Sequence, residues 1–196
     1  MCEELITGLE FMGDRVIKKL KYCGEHVFIY PLTKIIRAEN MTIDDYSRIG
    51  DYTYIDAGKK VEIGKYTMIT WHVIIEGGAE TYIGNRVFIG PGAKILTSTY
   101  ALHGYYSNEF LPETTRAFQY GNIRIEDDAY VGANSVIMPG VTIKEGAVVG
   151  ANAFVDKDLD AWGIYVGMPV RKVGERQKPT EERKTVIEQM DWSKHF

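Results

Sequence analysis

Cysteine is scarce in this chain. Cys2 and Cys23 are too few and too far apart to make a disulfide framework, so a reducing, cytoplasmic home is expected. Basic residues are outnumbered, 23 Lys and Arg against 27 Asp and Glu, for a net charge of -4. A nucleic-acid binder usually carries a basic excess, so no nucleic-acid partner is expected. No apolar run approaches the roughly 18 residues that cross a bilayer, which excludes a helical membrane insertion. Glu3, Glu4 and Glu10 keep the first residues from reading as a secretory leader. Histidine is also rare. His26, His72, His103 and His195 stand far apart, and a three-His metal site, which needs closely spaced ligands, is not expected.

What is abundant is a repeat. With 196 residues, 45% of them hydrophobic, the chain is long enough to bury one continuous core. From Ile125 to Asp160 an Ile, Val or equivalent opens every sixth position, at Ile125, Val131, Ile137, Ile143, Val149 and Val155. A period of six belongs neither to a helix nor to plain strand alternation, and it marks a parallel β-helix. Gly132 and Gly150 follow the aliphatic position, where a side chain would be crowded or φ positive.

The frame runs backwards through Ile95, Ile89 and Ile83, then Ile75, Ile69 and Ile63, then Ile55, Ile49 and Ile43, and finally Ile35, Ile29 and Cys23. Between these triplets the step is eight residues instead of six, always at the third position. Three hexads therefore close one triangular coil, with a two-residue bulge at one corner. Residues 1–22 read as an N-terminal helical cap, in which Asp14 opens a short helix with Val16, Ile17 and Leu20 on one face and Gly8 and Gly13 weaken a longer one. Such a cap would cover the open sheet edge of the first coil. Residues 23–175 form the β-helix, and residues 176–196 a helical tail, with Pro179 opening a polar helix over Thr180–Asp191. One interruption, about 100–122, breaks the coils. It is too long for a plain connection and too aromatic for disorder, so it is expected to line a site.

The pieces Ile89-Gly-Pro-Gly-Ala-Lys-Ile95, the loop holding His103, Val131-Gly-Ala-Asn-Ser, Val149-Gly-Ala-Asn-Ala and Tyr165-Val-Gly-Met-Pro-Val-Arg171 resemble the hexapeptide-repeat acyltransferases. Among these the chain looks most like the sugar O-acetyltransferases of the galactoside, maltose and polysaccharide-modifying kind. The resemblance implies an all-β fold, a left-handed parallel β-helix with short terminal helices and one extruded loop. It also implies a homotrimer, with acetyl-CoA as co-substrate in a groove between neighbouring prisms and no metal.

The resemblance makes His103 the general base that takes the acceptor's proton. A sugar hydroxyl ionises far above neutrality, and an imidazole is suited to removing its proton. His72 stands where galactoside-type relatives place an Asn, and it would hold the acceptor or the oxyanion. Glu76 and Asp56 are candidates to orient the histidines. Trp71, Tyr105, Asn108 and Glu109 supply the aromatic faces and polar groups a carbohydrate site uses. Ala133 and Ala151 would let the pantetheine arm approach the main chain. Arg171 and Lys172 would meet CoA phosphates, with Arg176 and Lys178 beside them in the same basic run.

The expected activity is therefore acetyl-CoA-dependent O-acetylation of a sugar acceptor. N-acetylation of a nucleotide-linked amino sugar is the near alternative, since an amine can lose its proton to water. A non-catalytic β-helix scaffold is the alternative of another class, and it would have no affinity for CoA.

Overall fold

Hexad spacing sends each opening aliphatic side chain inward and lets the chain turn a corner before the next one. In the computed structural model, which describes residues 14–191, Ile43, Ile49, Ile55, Ile69, Ile75, Ile83, Ile89 and Ile95 are all fully buried in one core. The short strands sort into three parallel faces. The first contains Tyr22–Cys23, Met41–Ile43, Lys60–Ile63, Glu80–Ile83, Ile123–Ile125 and Thr142–Ile143. The second runs through Phe28–Ile29, Arg48–Ile49, Met68–Ile69, Phe88–Ile89, Tyr130–Val131, Val148–Val149 and Gly163–Val166, and ends on the antiparallel Arg171–Glu175. The third stacks Lys34–Ile36, Tyr54–Asp56, Ile74–Glu76, Lys94–Leu96, Val136–Ile137 and Phe154–Val155. Register pairs equivalent hexad positions, as in Ile55 with Ile75 and Ile95 with Ile137. The molecule is a left-handed parallel β-helix.

The corners explain why the repeat is six residues long. At the first corner Tyr46, Tyr66, Arg86, Asp128 and Trp162 all have φ between 55° and 63°. At the second corner Tyr52, His72, Asn134 and Asn152 do the same, with φ between 56° and 59°. A left-handed residue costs about 1 kcal/mol or more when it carries a side chain. Each is repaid by a backbone bond to the coil before: Tyr66 N–H donates to Asp45 O, His72 N–H to Asp51 O, Asn134 N–H to Pro91 O and Asn152 N–H to Ala133 O. The following residue is often a buried hydroxyl that ties to the next coil. Thr53 Oγ1 donates to Thr70 O at 2.8 Å, and Thr67 Oγ1 to Gly84 O at 2.7 Å.

Gly132 and Gly150 are needed for space. The positive φ expected near them falls two residues later, on Asn134 and Asn152, and a Cβ on Gly132 would stand 2.5 Å from Ala151 N. Gly146 meets both demands, with φ +66° and a missing Cβ that would meet the Trp162 ring at 2.5 Å.

At the N-terminal end a one-turn helix, Asp14–Ile17, drops Val16 into the core, with Ile17 and Leu20 packed against it. The expected roles of Gly8 and Gly13 lie outside the described residues. At the other end the helix spans Glu181–Glu188, shorter than the Thr180–Asp191 segment expected. Thr180 is its cap, accepting the Arg183 N–H. Val186 remains mostly exposed, and a short helix that packs little has only its own hydrogen bonds to extend it.

Candidate active site

The second corner is one continuous column along the prism. Its first turn position holds Trp71, Pro91, Ala133 and Ala151 on successive coils, and its left-handed position holds Tyr52, His72, Gly92, Asn134 and Asn152. Bulky rings therefore occupy the N-terminal coils, and small residues occupy the C-terminal ones. Tyr52 and His72 stack with centroids 5.0 Å apart and planes 9° from parallel. Trp71 is half exposed beside them. These residues, with Tyr30, Arg48 and Met68, line a groove of about 360 Å3.

Above His72 the column loses its bulk. Gly90 approaches the next coil so closely that a Cβ would meet Ala133 N at 2.7 Å. Ala133 and Ala151 follow, and the column ends at the hairpin of Gly163–Val166 with Arg171–Glu175. Arg171 is exposed and pairs with Val166, itself packed on Gly150. From the layer of Trp71 and His72 to that of Arg171 is five strand spacings, about 24 Å at ~4.8 Å each. That is a line of small residues with a cation at its far end.

The basic run divides. Arg176 turns inward, where its Nη1 donates to Asp128 O at 2.6 Å, and it lies over the Trp162 ring. That arginine holds the tail to the first corner. Lys172 is bonded to Glu175 at 2.6 Å, a contact that raises its pKa above the usual lysine range. Lys178 lines a separate groove under the C-terminal helix, with Arg86 and Trp162.

The interruption is an antiparallel hairpin stalk, Ser98–Tyr100 with Phe118–Tyr120, leaving from the third corner. Its rings pack on one another, Tyr100 against Phe118 at 4.4 Å. Its tip is open to solvent: Leu102, Tyr105 and Phe110 are 89–96% exposed. Asn108 accepts the Phe110 N–H at 2.9 Å and shapes the tip, with Glu109 exposed next to it. His103 lies exposed on the tip's first turn. Within the protomer, then, His103, Tyr105, Asn108 and Glu109 are at one corner, while His72, Trp71, Ala133 and Ala151 are at another, across the third face.

Asp56 and Glu76 lie side by side on that third face, continuing the register of Ile55 with Ile75. Asp56 pairs with Arg37 and accepts the Gly58 N–H. Desolvation and, next, the Asp56 carboxylate push the Glu76 pKa up. Both are the last residues of their strands, at the end away from the second corner that carries His72. Tyr30 and Arg48 also line the groove, and no motif of the sequence marks either of them.

The hexapeptide of bacterial transferases, in six repeats, matches residues 122–157. With the coils, the column and the relatives below, the protein is an acyltransferase that carries the hexapeptide repeat of bacterial transferases over these residues. It is 28% identical over 183 residues to a dTDP-4-amino-4,6-dideoxy-D-glucose acyltransferase of Escherichia coli, covering 91% of this chain and 95% of that one. AntD, an N-acyltransferase from Bacillus cereus solved in complex with dTDP and 3-hydroxybutyryl-CoA, superposes with a TM-score of 0.76 at 27% identity, covering 94% of this chain and 97% of that one. A galactoside O-acetyltransferase of Lactococcus lactis is 27% identical over 133 residues, or 63% of this chain and 60% of the relative.

Proposed function

We propose that the protein transfers an acyl group from acyl-CoA to the amino group of a nucleotide-linked amino sugar. The observation that carries this reading is coverage. The dTDP-amino-sugar acyltransferase and the N-acyltransferase AntD each match more than nine-tenths of the chain, whereas the galactoside O-acetyltransferase matches under two thirds of it. This shifts the emphasis from hydroxyl to amine, the second of the two acceptors that the sequence leaves open.

The second-corner column is suited to the donor. Pantetheine lies along the line of small residues at Pro91, Ala133 and Ala151, and Arg171 meets a CoA phosphate, with Lys172 as the adjoining cation. The thioester then falls near His72 and Trp71. The amine nitrogen attacks the thioester carbonyl carbon; the C–N bond forms, the C–S bond breaks, and the amine's proton balances the departing thiolate. His72, held by its stack on Tyr52, donates to the oxyanion or orients the acceptor. His103 takes the proton, delivered with Tyr105, Asn108 and Glu109 on the loop of a neighbouring subunit, because the protomer's own loop leaves from a different corner. That requirement calls for a neighbouring subunit, which the homotrimer expected from the sequence would supply.

The test is a panel of free monosaccharides, free amino sugars and nucleotide-linked amino sugars, assayed for thiol release from acetyl-CoA. Turnover with the nucleotide-linked amines supports the reading. Turnover confined to hydroxyl acceptors restores O-acetylation.

A further inference from the structure

The groove beside Trp71 does not end at the third coil. It joins a second groove of about 320 Å3, lined by His26, Val27, Phe28, Tyr30 and Arg48, and Tyr30 and Arg48 line both. The two are adjacent and share Tyr30 and Arg48 as a common wall, and together they form a channel-like surface that follows the second face from the first coil to the third. Its parts occur in a definite order. Phe28 and Tyr30, on the first coil, form an edge-to-face pair at 4.8 Å, with Phe28 half exposed. Arg48 follows on the second coil, in register with Phe28 on one side and Met68 on the other. Trp71 and His72 stand on the third coil, at the junction with the small-residue track.

The hydrogen-bonding groups of this channel are few, and several are committed. Asp51 accepts the Leu32 N–H at 2.9 Å, and the Thr70 hydroxyl donates to Ile89 O at 2.8 Å. A second polyol along the first coil would find little to bond, whereas a planar, weakly polar ring would find aromatic faces. Arg48 supplies a planar cation between the two ends, a geometry suited to phosphate oxygens. The first and third coils are two strand spacings apart, roughly 10 Å, which leaves room for a linking group between two ring-shaped ends.

We propose that this channel binds the nucleoside diphosphate part of the acceptor, with the base at Phe28 and Tyr30, the diphosphate at Arg48 and the sugar against Trp71 and His72. The inference rests on the reading of the acceptor as nucleotide-linked. Donor and acceptor would then share one prism edge, the donor on the C-terminal coils, the acceptor on the N-terminal ones, and His72 where they meet.

The experiment measures binding of thymidine diphosphate by titration calorimetry, together with KM and kcat for a nucleotide-linked amino sugar. The proteins are the wild type, Phe28→Ala, Phe28→Tyr, Arg48→Ala and Arg48→Lys. Phe28→Ala and Arg48→Ala are expected to weaken thymidine diphosphate about tenfold or more and to raise acceptor KM in parallel. Acceptor kcat and the Kd for CoA should stay within about twofold, and Phe28→Tyr should restore binding. Phe28 is exposed, so its variants test the idea even if Arg48→Ala misfolds. Wild-type turnover of the nucleotide-linked substrate with KM unchanged in both alanine variants overturns the channel and leaves the proposed activity standing. No binding of thymidine diphosphate and turnover only of free sugars overturns the nucleotide-linked acceptor itself, and the channel with it.

Discussion

Tyr52 and His72 occupy the same left-handed corner position on successive coils, and their rings stack at 5.0 Å with planes 9° from parallel. The backbone conformation fixes where each side chain leaves the prism, and the coil spacing brings the rings into contact. His72 is thereby held in place at the junction between the aromatic groove and the small-residue track. If that placement serves catalysis, Tyr52→Ala should lower kcat by about two- to tenfold, the equivalent of a ring contact worth ~0.5–1.5 kcal/mol. Tyr52→Phe should keep full activity. Steady-state kinetics on the two variants checks this, and equal losses in both would show that the hydroxyl matters instead.

For His103 the expected outcome of substitution by alanine is a fall in kcat of about 10²–10³, with the Kd for acetyl-CoA unchanged. An amine acceptor adds a signature in the pH profile. The acid limb of kcat/KM should persist in His103→Ala, because the amine's own protonation remains. A limb that vanishes with the mutation would mark a hydroxyl acceptor. Near-full activity in His103→Ala would move the proton-accepting role elsewhere.

Arg171→Ala should weaken CoA by about 10–100-fold, the equivalent of a charge-assisted contact of ~1.5–3 kcal/mol. Dephospho-CoA should lose less if the 3′-phosphate is the partner. Calorimetry on both ligands decides, and an equal loss would confine Arg171 to the hairpin.

Glu76 carries a stability prediction. Its folded-state pKa is raised, first by desolvation and then by the neighbouring Asp56 carboxylate. The native state therefore holds the proton more tightly than the unfolded chain does. Stability falls as pH rises through the window between the ordinary carboxylate value and the raised one, and it stays lower above that window. Glu76→Gln should accordingly raise Tm at neutral pH relative to wild type and show no gain well below pH 4. Thermal melts across that range test the sign.

Two glycines separate strain from crowding. Gly146 has φ +66° and a Cβ position 2.5 Å from the Trp162 ring; Gly140 has φ +89° and nothing within 4 Å. Gly140→Ala should cost only backbone strain, on the order of 1 kcal/mol. Gly146→Ala adds overpacking of about 1–3 kcal/mol. Urea unfolding of the two variants should rank them in that order.

The six-residue period determined the coils, their register and the fully buried line from Ile43 to Val155, because a side chain that must point inward at every sixth residue has only one way to stack. The eight-residue steps located the third corner, and the break near Tyr100 located the loop. Those features are local in sequence, so they could be read there. What belongs to one column was not legible in the same way. Trp71, Ala133 and Ala151 are distant in sequence, yet they share an edge through the coil register. Arg176 reads as one more cation in a basic run, but it reaches across the fold to the Asp128 carbonyl. Tyr30 and Arg48 carry no motif, and only coil stacking places Arg48 between the coil of Phe28 and Tyr30 and the coil of Trp71. The corner that launches the loop and the corner that carries His72 are separated by the length of a third-face strand in the protomer. That separation is a property of the triangular cross-section, and only the tertiary structure could show it.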